Sequence, residues 1–347
     1  MALDLQLDRP VSSSIPKVDV PACPCCGSTD REFKFEVIEH EYANTTDDKF
    51  IFKACKNCGA WYLDPQPDVT ALGTIYPPNY YANVLESQAI AGADDMKAMS
   101  GFYKKIGLAI LRLRLRPLTR HMQLDPKTTW LDIGCGHGWV LETLNEVYGT
   151  KGVGLDMSET AVEHCRRRGI EAYAVRFEDF EPDDNLTFDF IHSSHVIEHV
   201  TSPYEYMRKC WDLLKPGGLC VFVTPNIGTP EAKWFGAHWG GLHVPRHWTL
   251  FDDRSARILG ERVGFEHVGT TFSTNGTFWN WSFHSLLQNK ISAKWNDRIF
   301  PSDHRLVKSS LYNLLLMGGF AVLDMLNVII ARQSGNMFCI FRKPAGS

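Results

Sequence analysis

The stretch Trp130-Leu-Asp-Ile-Gly-Cys-Gly-His-Gly138 decides how this chain folds. Its first four residues, Trp130–Ile133, are mostly apolar and predict a buried strand. Three glycines at alternating positions, Gly134, Gly136 and Gly138, then open a helical pattern. Glycine lets the backbone turn sharply and approach a ligand, and the first N–H groups of the following helix point toward that ligand. The stretch therefore predicts a strand, a ligand-binding turn and a helix.

The residues that follow repeat the same alternation of strand and helix. A second predicted strand, Gly152-Val-Gly-Leu-Asp156, ends on an acid 24 residues after Asp132. An acid at that place is suited to binding the hydroxyls of a ribose. Further strands are predicted near 171–175, 188–192 and 218–224, with helices between them. This alternation predicts a parallel sheet with helices on both faces.

The Asp-Ile-Gly-Cys-Gly-His-Gly form of the turn resembles the class I S-adenosylmethionine (SAM) methyltransferases, because dinucleotide-binding enzymes have a longer glycine spacing. The resemblance implies a doubly wound, seven-stranded, Rossmann-like α/β sheet whose last two strands form an antiparallel pair at one edge. It implies that Asp132 and the turn hold the methionine part of SAM, and that Asp156 holds the ribose. The cofactor-binding residues expected from it are Asp132, Gly134, Gly136, Gly138, Asp156, Met157, Phe177, Glu178, Asp179, Ser193, Ser194 and His195.

Two cysteine pairs near the start of the chain form a second motif. Cys23-Pro-Cys-Cys26 and Cys55-Lys-Asn-Cys58 are each followed by glycine, a pattern typical of a four-cysteine zinc site. Residues 33–38 and 50–53 alternate in polarity and predict a hairpin between the pairs. Four thiolates leave no open coordination position, so we predict a structural zinc on Cys23, Cys26, Cys55 and Cys58. Cys25 could compete for the same ion.

The zinc ribbon and the aromatic, proline-rich stretch after it resemble the front of a methyltransferase family that includes sugar C-methyltransferases. The resemblance covers roughly residues 21–82. It implies a sugar acceptor, either nucleotide-linked or part of a surface polysaccharide. It also places Tyr76, Tyr80 and Tyr81 at the mouth of the substrate site, although packing of the ribbon on the core explains these tyrosines equally well.

Histidines fall where the fold places strand ends. His195 follows the fourth strand and is expected beside the reactive methyl group, within the pattern His-x-x-Glu-His that also contains Glu198 and His199. In the family this Glu-His pair often caps the next helix, and some quinone O-methyltransferases of similar sequence use it at a metal. We favour a structural role for His199.

A second cluster, Trp239-Gly-Gly-Leu-His-Val-Pro-Arg-His-Trp248, follows the fifth strand. A loop with this many polar and aromatic groups is costly to bury without partners, so we expect it to face the acceptor. His243 or His247 is the predicted general base, with His243 favoured. Arg246 is predicted to pair with a substrate anion. A hydrogen-bonded structural lid is the alternative.

Two apolar segments predict contact with a membrane surface. Residues 102–116 combine apolar side chains with lysines and arginines, as in a basic amphipathic helix. Residues 311–330 carry one charge, Asp324, over about the length that spans a bilayer. Gly318-Gly319 and the polar residues make this a poor spanning helix, so a buried or homodimer-forming helix is the alternative. For the basic segment, a helix that covers a sheet edge is the favoured alternative, and residues 111–116 also fit a strand.

The order of the motifs predicts six segments. They are a flexible tail at 1–20, the zinc ribbon at 21–82, a helical connector at 83–120, the SAM-binding core at 121–278, a helical hydrophobic insertion at 279–335, and the last core strand with a tail at 336–347.

Composition narrows the function further. The chain has 347 residues and a net charge of −4, which argues against a nucleic-acid partner. Residues 1–20 lack the pattern of a secretory signal, so we expect a cytoplasmic protein with reduced cysteines, at the membrane surface if the apolar segments contact lipid. The sequence predicts SAM-dependent methyl transfer to a small molecule, most directly a sugar. The alternatives are a lipid or quinone acceptor at a membrane, an RNA methyltransferase that uses the ribbon, and a scaffold without turnover.

Overall fold

The computed structural model describes residues 14–42, 44–77, 80, 116, 119–182, 186–274, 276–288, 290–301 and 310–347. The predictions for Tyr81, for most of the connector and for nearly all of the basic segment 102–116 lie outside these residues.

Strands and helices are numbered here in chain order. The strands are β1 Lys17–Val18, β2 Arg31–Ile38, β3 Lys49–Cys55, β4 Trp61–Leu63, β5 Gln66–Pro67, β6 Thr129–Ile133, β7 Lys151–Asp156, β8 Glu171–Ala174, β9 Phe188–Ser194, β10 Leu214–Pro225, β11 Thr249–Leu250, β12 Glu266–Ser273 and β13 Asn336–Arg342. The α-helices are α1 Leu72–Ile75, α2 Trp139–Tyr148, α3 Glu159–Arg167, α4 Pro203–Leu213, α5 Pro230–Phe235, α6 Asp253–Val263, α7 Gly276–Leu287, α8 Ala293–Ile299 and α9 Leu311–Ala331.

A seven-stranded sheet forms the centre of the molecule, in the order β12-β13-β10-β9-β6-β7-β8. The five strands from β10 to β8 are parallel to their neighbours, and β13 runs antiparallel between β10 and β12. The predicted doubly wound α/β fold with an antiparallel edge is therefore confirmed. Because the parallel strands end at one edge, the residues that follow β6, β7 and β9 converge there.

Alternation along β6 builds a hydrophobic core on each face of this sheet. Trp130 is fully buried in a cluster with Leu141 of α2 and Val162 of α3. Leu131 is fully buried on the opposite face, in a cluster with Met207 of α4 and residues of α6. A period of two in a strand places neighbouring side chains on opposite faces, so two layers of helices are needed to cover the sheet.

The N-terminal ribbon is a separate four-stranded sheet in the order β11-β4-β3-β2. The predicted hairpin is its β2–β3 pair, while β11 is supplied by the core and pairs with β4. β1 pairs with β5, and Ile15 is 5% exposed. The prediction of a flexible tail is therefore wrong for residues 14–20, which pack on the ribbon.

The insertion between β12 and β13 consists of α7, α8 and α9 in the described part of the chain. α7 begins at Gly276, three residues before the predicted boundary, and is largely buried. α9 has only Phe320 and Asp324 buried. Among the described residues it is the one helix whose length and hydropathy would allow it to cross a membrane. Most of its apolar side chains face outward, so the alternative of a buried helix is wrong.

Candidate active site

A cavity of about 980 Å³ lies at the carboxyl ends of the central strands. The turn after β6 and the end of β7 form one wall, and residues after β9 form the floor. The opposite wall comes from α1, the loop after β10, and α7 with Met317 of α9. This volume suits a cofactor together with a small acceptor.

The glycine turn and Asp156 form one hydrogen-bonded unit in this wall. The backbone N–H of Gly136 donates to Asp156 Oδ2 at 2.8 Å, and that of Ser158 donates to Oδ1 at 2.9 Å. All three glycines of the turn have positive φ. A Cβ on Gly136 would extend into open space, whereas one on Gly134 would lie 2.5 Å from Val196 Cγ2. The turn is thus an open cradle, and the carboxylate keeps lone pairs for ligand hydroxyls.

The residues predicted to contact SAM divide into two groups. Gly134, Gly136, Asp156, Met157, Phe177, Glu178, Ser194 and His195 line the cavity. Asp132, Gly138, Asp179 and Ser193 are not part of its lining.

Asp132 belongs to the second group for a clear reason. It is 2% exposed and accepts a hydrogen bond from His192 Nδ1 at 2.6 Å. The expectation that Asp132 itself holds the methionine end therefore needs correction, because this carboxylate is buried against His192 and does not line the cavity. The sequence argument also missed Trp139, which is 52% exposed and lines the cavity at the start of α2.

His195 and Glu198 form an oriented pair at the floor. His195 Nδ1 lies 3.1 Å from Glu198 Oε1, and Thr224 Oγ1 donates to Glu198 Oε2 at 3.0 Å. Burial by itself would raise the pKa of Glu198, but the hydrogen bond from His195 and the charges of nearby histidines lower it to about 2. Glu198 is therefore a carboxylate that accepts the Nδ1 proton of His195. The Nε2 atom of His195 remains an acceptor, on a side chain that is 33% exposed at the cavity.

Two further histidines, His199 and His247, lie close to Glu198. His199 Nδ1 lies 2.9 Å from the carbonyl oxygen of Arg246, and His247 Nδ1 lies 2.8 Å from that of Gly241. Each carbonyl holds a proton on Nδ1 and leaves Nε2 as an acceptor. One ligand atom from each of Glu198, His199 and His247 lies within 4.8 Å of the others, so the group could hold a metal ion.

Arg246 occupies a different place from the one predicted. Its side chain is fully buried and does not line the cavity. Nη2 lies 2.7 Å from Glu39 Oε2, Nη1 donates to the carbonyl oxygen of Ile75 at 2.8 Å, and Nε donates to His243 Nε2 at 3.0 Å. The predicted pairing of Arg246 with a substrate anion therefore needs correction, because buried protein groups already take up its donors.

His243 is held from both sides. Its Nδ1 atom lies 2.6 Å from Glu41 Oε2, and its Nε2 atom accepts from Arg246 and lies 3.2 Å from Tyr80 Oη. Burial, followed by the Arg246 charge, holds the pKa of His243 well below its usual range. Burial does the same for His247. Both line the cavity but are almost fully buried, so the structure does not favour His243 over the more exposed His195 as the base.

Glu39 and Glu41 were not anticipated. They lie after β2 in the ribbon, far in sequence from the loop that they contact. Their one sequence signal is the run Ile38-Glu-His-Glu-Tyr42, in which two acids are flanked by apolar residues.

Tyr76 and Tyr80 line the cavity as expected, and their rings meet edge to face with the centroids 5.1 Å apart.

The four predicted zinc ligands come together at the base of the ribbon. The Sγ atoms of Cys23, Cys26, Cys55 and Cys58 all lie within 4.8 Å of one another. Cys23 and Cys58 are 3.6 Å apart, and Cys26 and Cys55 are 3.5 Å apart. A tetrahedral zinc with bonds of about 2.3 Å requires sulfur separations of roughly 3.8 Å, so these residues fit a zinc ion.

The chain is similar in sequence to known methyltransferases. Residues 104–269 match the model of a family described as a methyltransferase domain. The chain is 31% identical over 178 residues to a ubiquinone biosynthesis O-methyltransferase of Dinoroseobacter shibae, covering 47% of this chain and 71% of that protein. It is 32% identical over 141 residues to one of Neisseria meningitidis serogroup C, covering 39% and 58%. Among solved structures, a SAM-dependent methyltransferase from Archaeoglobus fulgidus is 18% identical with a TM-score of 0.42, covering 70% of this chain and 100% of that one.

Proposed function

Since this chain belongs to the class I SAM-dependent methyltransferases, we propose that it transfers the methyl group to a phenolic hydroxyl of a quinone-type acceptor. The relatives that it matches are named for ubiquinone biosynthesis and for O-methylation. These names favour the quinone alternative over the sugar acceptor predicted from the ribbon.

The cavity supports a flat, apolar acceptor. The aromatic rings of Tyr76, Tyr80, Phe278 and Trp281 line the wall opposite the glycine turn, and Trp139 lines the cavity beside that turn. Aromatic side chains bind a planar ring through their faces and edges. Arg246, the cation predicted to pair with a substrate anion, is buried against Glu39 and does not face the cavity.

His195 is the group best placed to take the acceptor's proton, and this observation carries the proposal. SAM, when bound, supplies an electrophilic methyl group on a sulfonium. As the phenolic oxygen forms its bond to the methyl carbon, its proton passes to Nε2 of His195. Glu198 stabilises the resulting imidazolium through Nδ1. The products are the methyl ether and S-adenosylhomocysteine.

Glu198, His199 and His247 would hold a divalent cation if one binds beside this pair. Such an ion would lower the pKa of a nearby hydroxyl. The residues fit because one ligand atom of each lies within 4.8 Å of the others and backbone carbonyls fix both imidazole rings through Nδ1. Turnover of protein that keeps its ribbon zinc, measured with and without added Mg²⁺, shows whether such an ion contributes.

Replacement of His195 tests the proposal. With a water-soluble catechol as acceptor, His195→Ala should lose a factor of about 10² to 10⁴ in kcat, the usual contribution of a general base, while SAM affinity by calorimetry stays nearly unchanged. His121→Ala, at a part-buried histidine away from the cavity lining, is the matched control. A nucleotide-linked deoxysugar is assayed in parallel. Turnover of the sugar but not of the catechol would overturn the proposed acceptor, and full activity of His195→Ala would overturn the proposed base.

A further inference from the structure

The outer face of α9 is a continuous apolar surface. Ten large hydrophobic side chains on this helix are between 41% and 80% exposed. They are Leu311, Tyr312, Leu314, Leu315, Val322, Leu323, Met325, Leu326, Ile329 and Ile330. An apolar surface of this kind on a folded protein marks an interaction site.

The polar residues in the second half of α9 are turned away from this surface. Asp324, the one charged residue of the helix, is fully buried and accepts from Ser334 Oγ at 2.7 Å. Asn327 Nδ2 donates to the carboxylate of Glu231 in α5. The inner face of α9 packs on α7, where a Cβ on Gly276 would lie 3.1 Å from the carbonyl oxygen of Met317. One face of α9 therefore packs against the protein. In this fold the helix cannot be surrounded by lipid on all sides.

The rim of the apolar surface is cationic in the described residues. Lys290, Lys294 and Arg298 are exposed in and before α8, and Arg332 is exposed at the C-terminal cap of α9. Tyr312 Oη donates to the carbonyl oxygen of Ile299, which holds the end of α8 beside the start of α9.

Exposed tryptophans flank α9 on its neighbouring helices. Trp295 in α8 is 56% exposed, and Trp234 in α5 is 72% exposed. Tryptophan and tyrosine are enriched where a protein meets the headgroup region of a bilayer.

We infer that α9 docks in the plane of a bilayer that contains anionic lipids. An uncharged apolar face bordered by lysine, arginine and tryptophan is the composition of an interfacial helix. The cationic rim favours this partner over a second copy of the chain, because pairing two such faces would bring like charges together. Each lysine or arginine near an anionic surface adds favourable electrostatic free energy.

Docking at this face also explains how a lipid-soluble acceptor reaches the site, and this step rests on the proposed function. Met317 lies on the inner side of α9 and lines the cavity, together with Phe278 and Trp281 of α7. The helix therefore separates the bilayer from the cavity by one layer of side chains. An acceptor with an apolar tail passes alongside α9 without crossing water.

Sedimentation with vesicles tests the inference. The full-length protein is mixed at low salt with phosphatidylcholine vesicles, with or without phosphatidylglycerol. We expect binding to the anionic vesicles, weakened by salt. The double variant Leu315→Glu/Ile329→Glu should bind at least about tenfold more weakly, because two charges replace apolar contacts. Phe33→Glu, at a 62% exposed residue of the ribbon, is the matched control and should bind like the wild type.

Three results overturn the inference. The first is that the wild type stays in the supernatant with both kinds of vesicle, and the second is that the double variant binds as well as Phe33→Glu. Alternatively, ultracentrifugation without lipid shows a dimer that the double variant dissociates, which identifies a second copy as the occupant. Methylation of a water-soluble catechol without vesicles is measured on the same samples. It shows that the variant is folded, and it separates a failure of docking from a failure of the proposed function.

Discussion

At the scale of single residues, this site depends on carboxylates that are held by defined donors. Asp156 accepts from two backbone N–H groups, Glu198 from His195 and Thr224, and Asp132 from His192. A carboxylate held in this way keeps its direction. The chemistry therefore depends on which of these groups also face the cavity.

Asp156 faces the cavity, and its replacement should weaken SAM binding. Asp156→Ala removes the carboxylate that holds the N–H of Gly136 and that is proposed to bind the ribose hydroxyls. The expected cost is about 1–3 kcal/mol of binding free energy, measured by calorimetry. Asp179→Ala, outside the cavity lining, is the control. Equal SAM affinity in the two variants would contradict the assignment of Asp156.

Glu231 makes the folded protein sensitive to pH. Burial, and then the nearby charge of Asp324, raise the pKa of Glu231 from 4.5 to about 7. The folded state therefore holds a proton that the unfolded chain releases above pH 4.5. The resulting stability is present below that pH and is lost as pH rises through about 7.

Glu231→Gln should remove this dependence. It keeps an oxygen to accept from Asn327 and carries no charge. We expect it to raise the free energy of unfolding by about 1–3 kcal/mol at pH 8 and to change it little at pH 5. Denaturant titrations at both pH values measure the effect, with the exposed Glu163→Gln as the control. No difference between the two variants at pH 8 would show that Glu231 titrates normally.

At the scale of elements, the ribbon and α9 differ in how they are stabilised. The ribbon brings four cysteine thiols within 4.8 Å of one another, so we expect a metal ion to contribute to its folding. α9 has more apolar surface than its contacts with α7 can cover. We therefore propose a partner outside the chain for each element, an ion for the ribbon and a lipid surface for α9.

We expect one zinc ion per chain, held by Cys23, Cys26, Cys55 and Cys58. Elemental analysis of protein purified without added metal checks the ratio. Cys55→Ser should abolish it, whereas Cys135→Ser, at a buried cysteine outside the ribbon, should not. Intact protein with a zinc ratio near zero would contradict the site.

At the scale of the whole molecule, the ribbon and the core are built into each other. β11 of the core completes the ribbon sheet. In return the ribbon supplies Glu39 and Glu41, which hold Arg246 and His243 in the loop that walls the acceptor side. The SAM turn, in contrast, is formed by β6, β7 and α2 of the core.

Removal of zinc should therefore affect the acceptor side more than the cofactor side. We expect chelation to lower kcat on a soluble acceptor by about tenfold or more, since displaced positioning groups commonly cost that much, with little change in SAM affinity. Restoring zinc should restore turnover, while added magnesium should not. A parallel loss of SAM binding would show that the ribbon supports the whole fold instead.

The sequence alone determined the features that depend on local pattern. The glycine turn, the alternation of strand and helix, and the paired cysteines each follow from residues that are close along the chain, and the strands and the four thiols were placed correctly. The antiparallel edge was implied by the family resemblance. The run at 311–330, which carries a single charge, was also visible as an apolar helix.

Only the tertiary structure decided which polar groups face the cavity. Arg246 and His243 are residue types that often act in catalysis. In this fold, however, Glu39 and Glu41, about 200 residues away in sequence, contact the side chains of Arg246 and His243. Asp132 belongs to the expected motif, but its carboxylate is buried and accepts a hydrogen bond from His192. The physical reason is that a buried charge is satisfied by whichever partner the fold brings to it. That partner is set by long-range packing, which no local pattern of residues records.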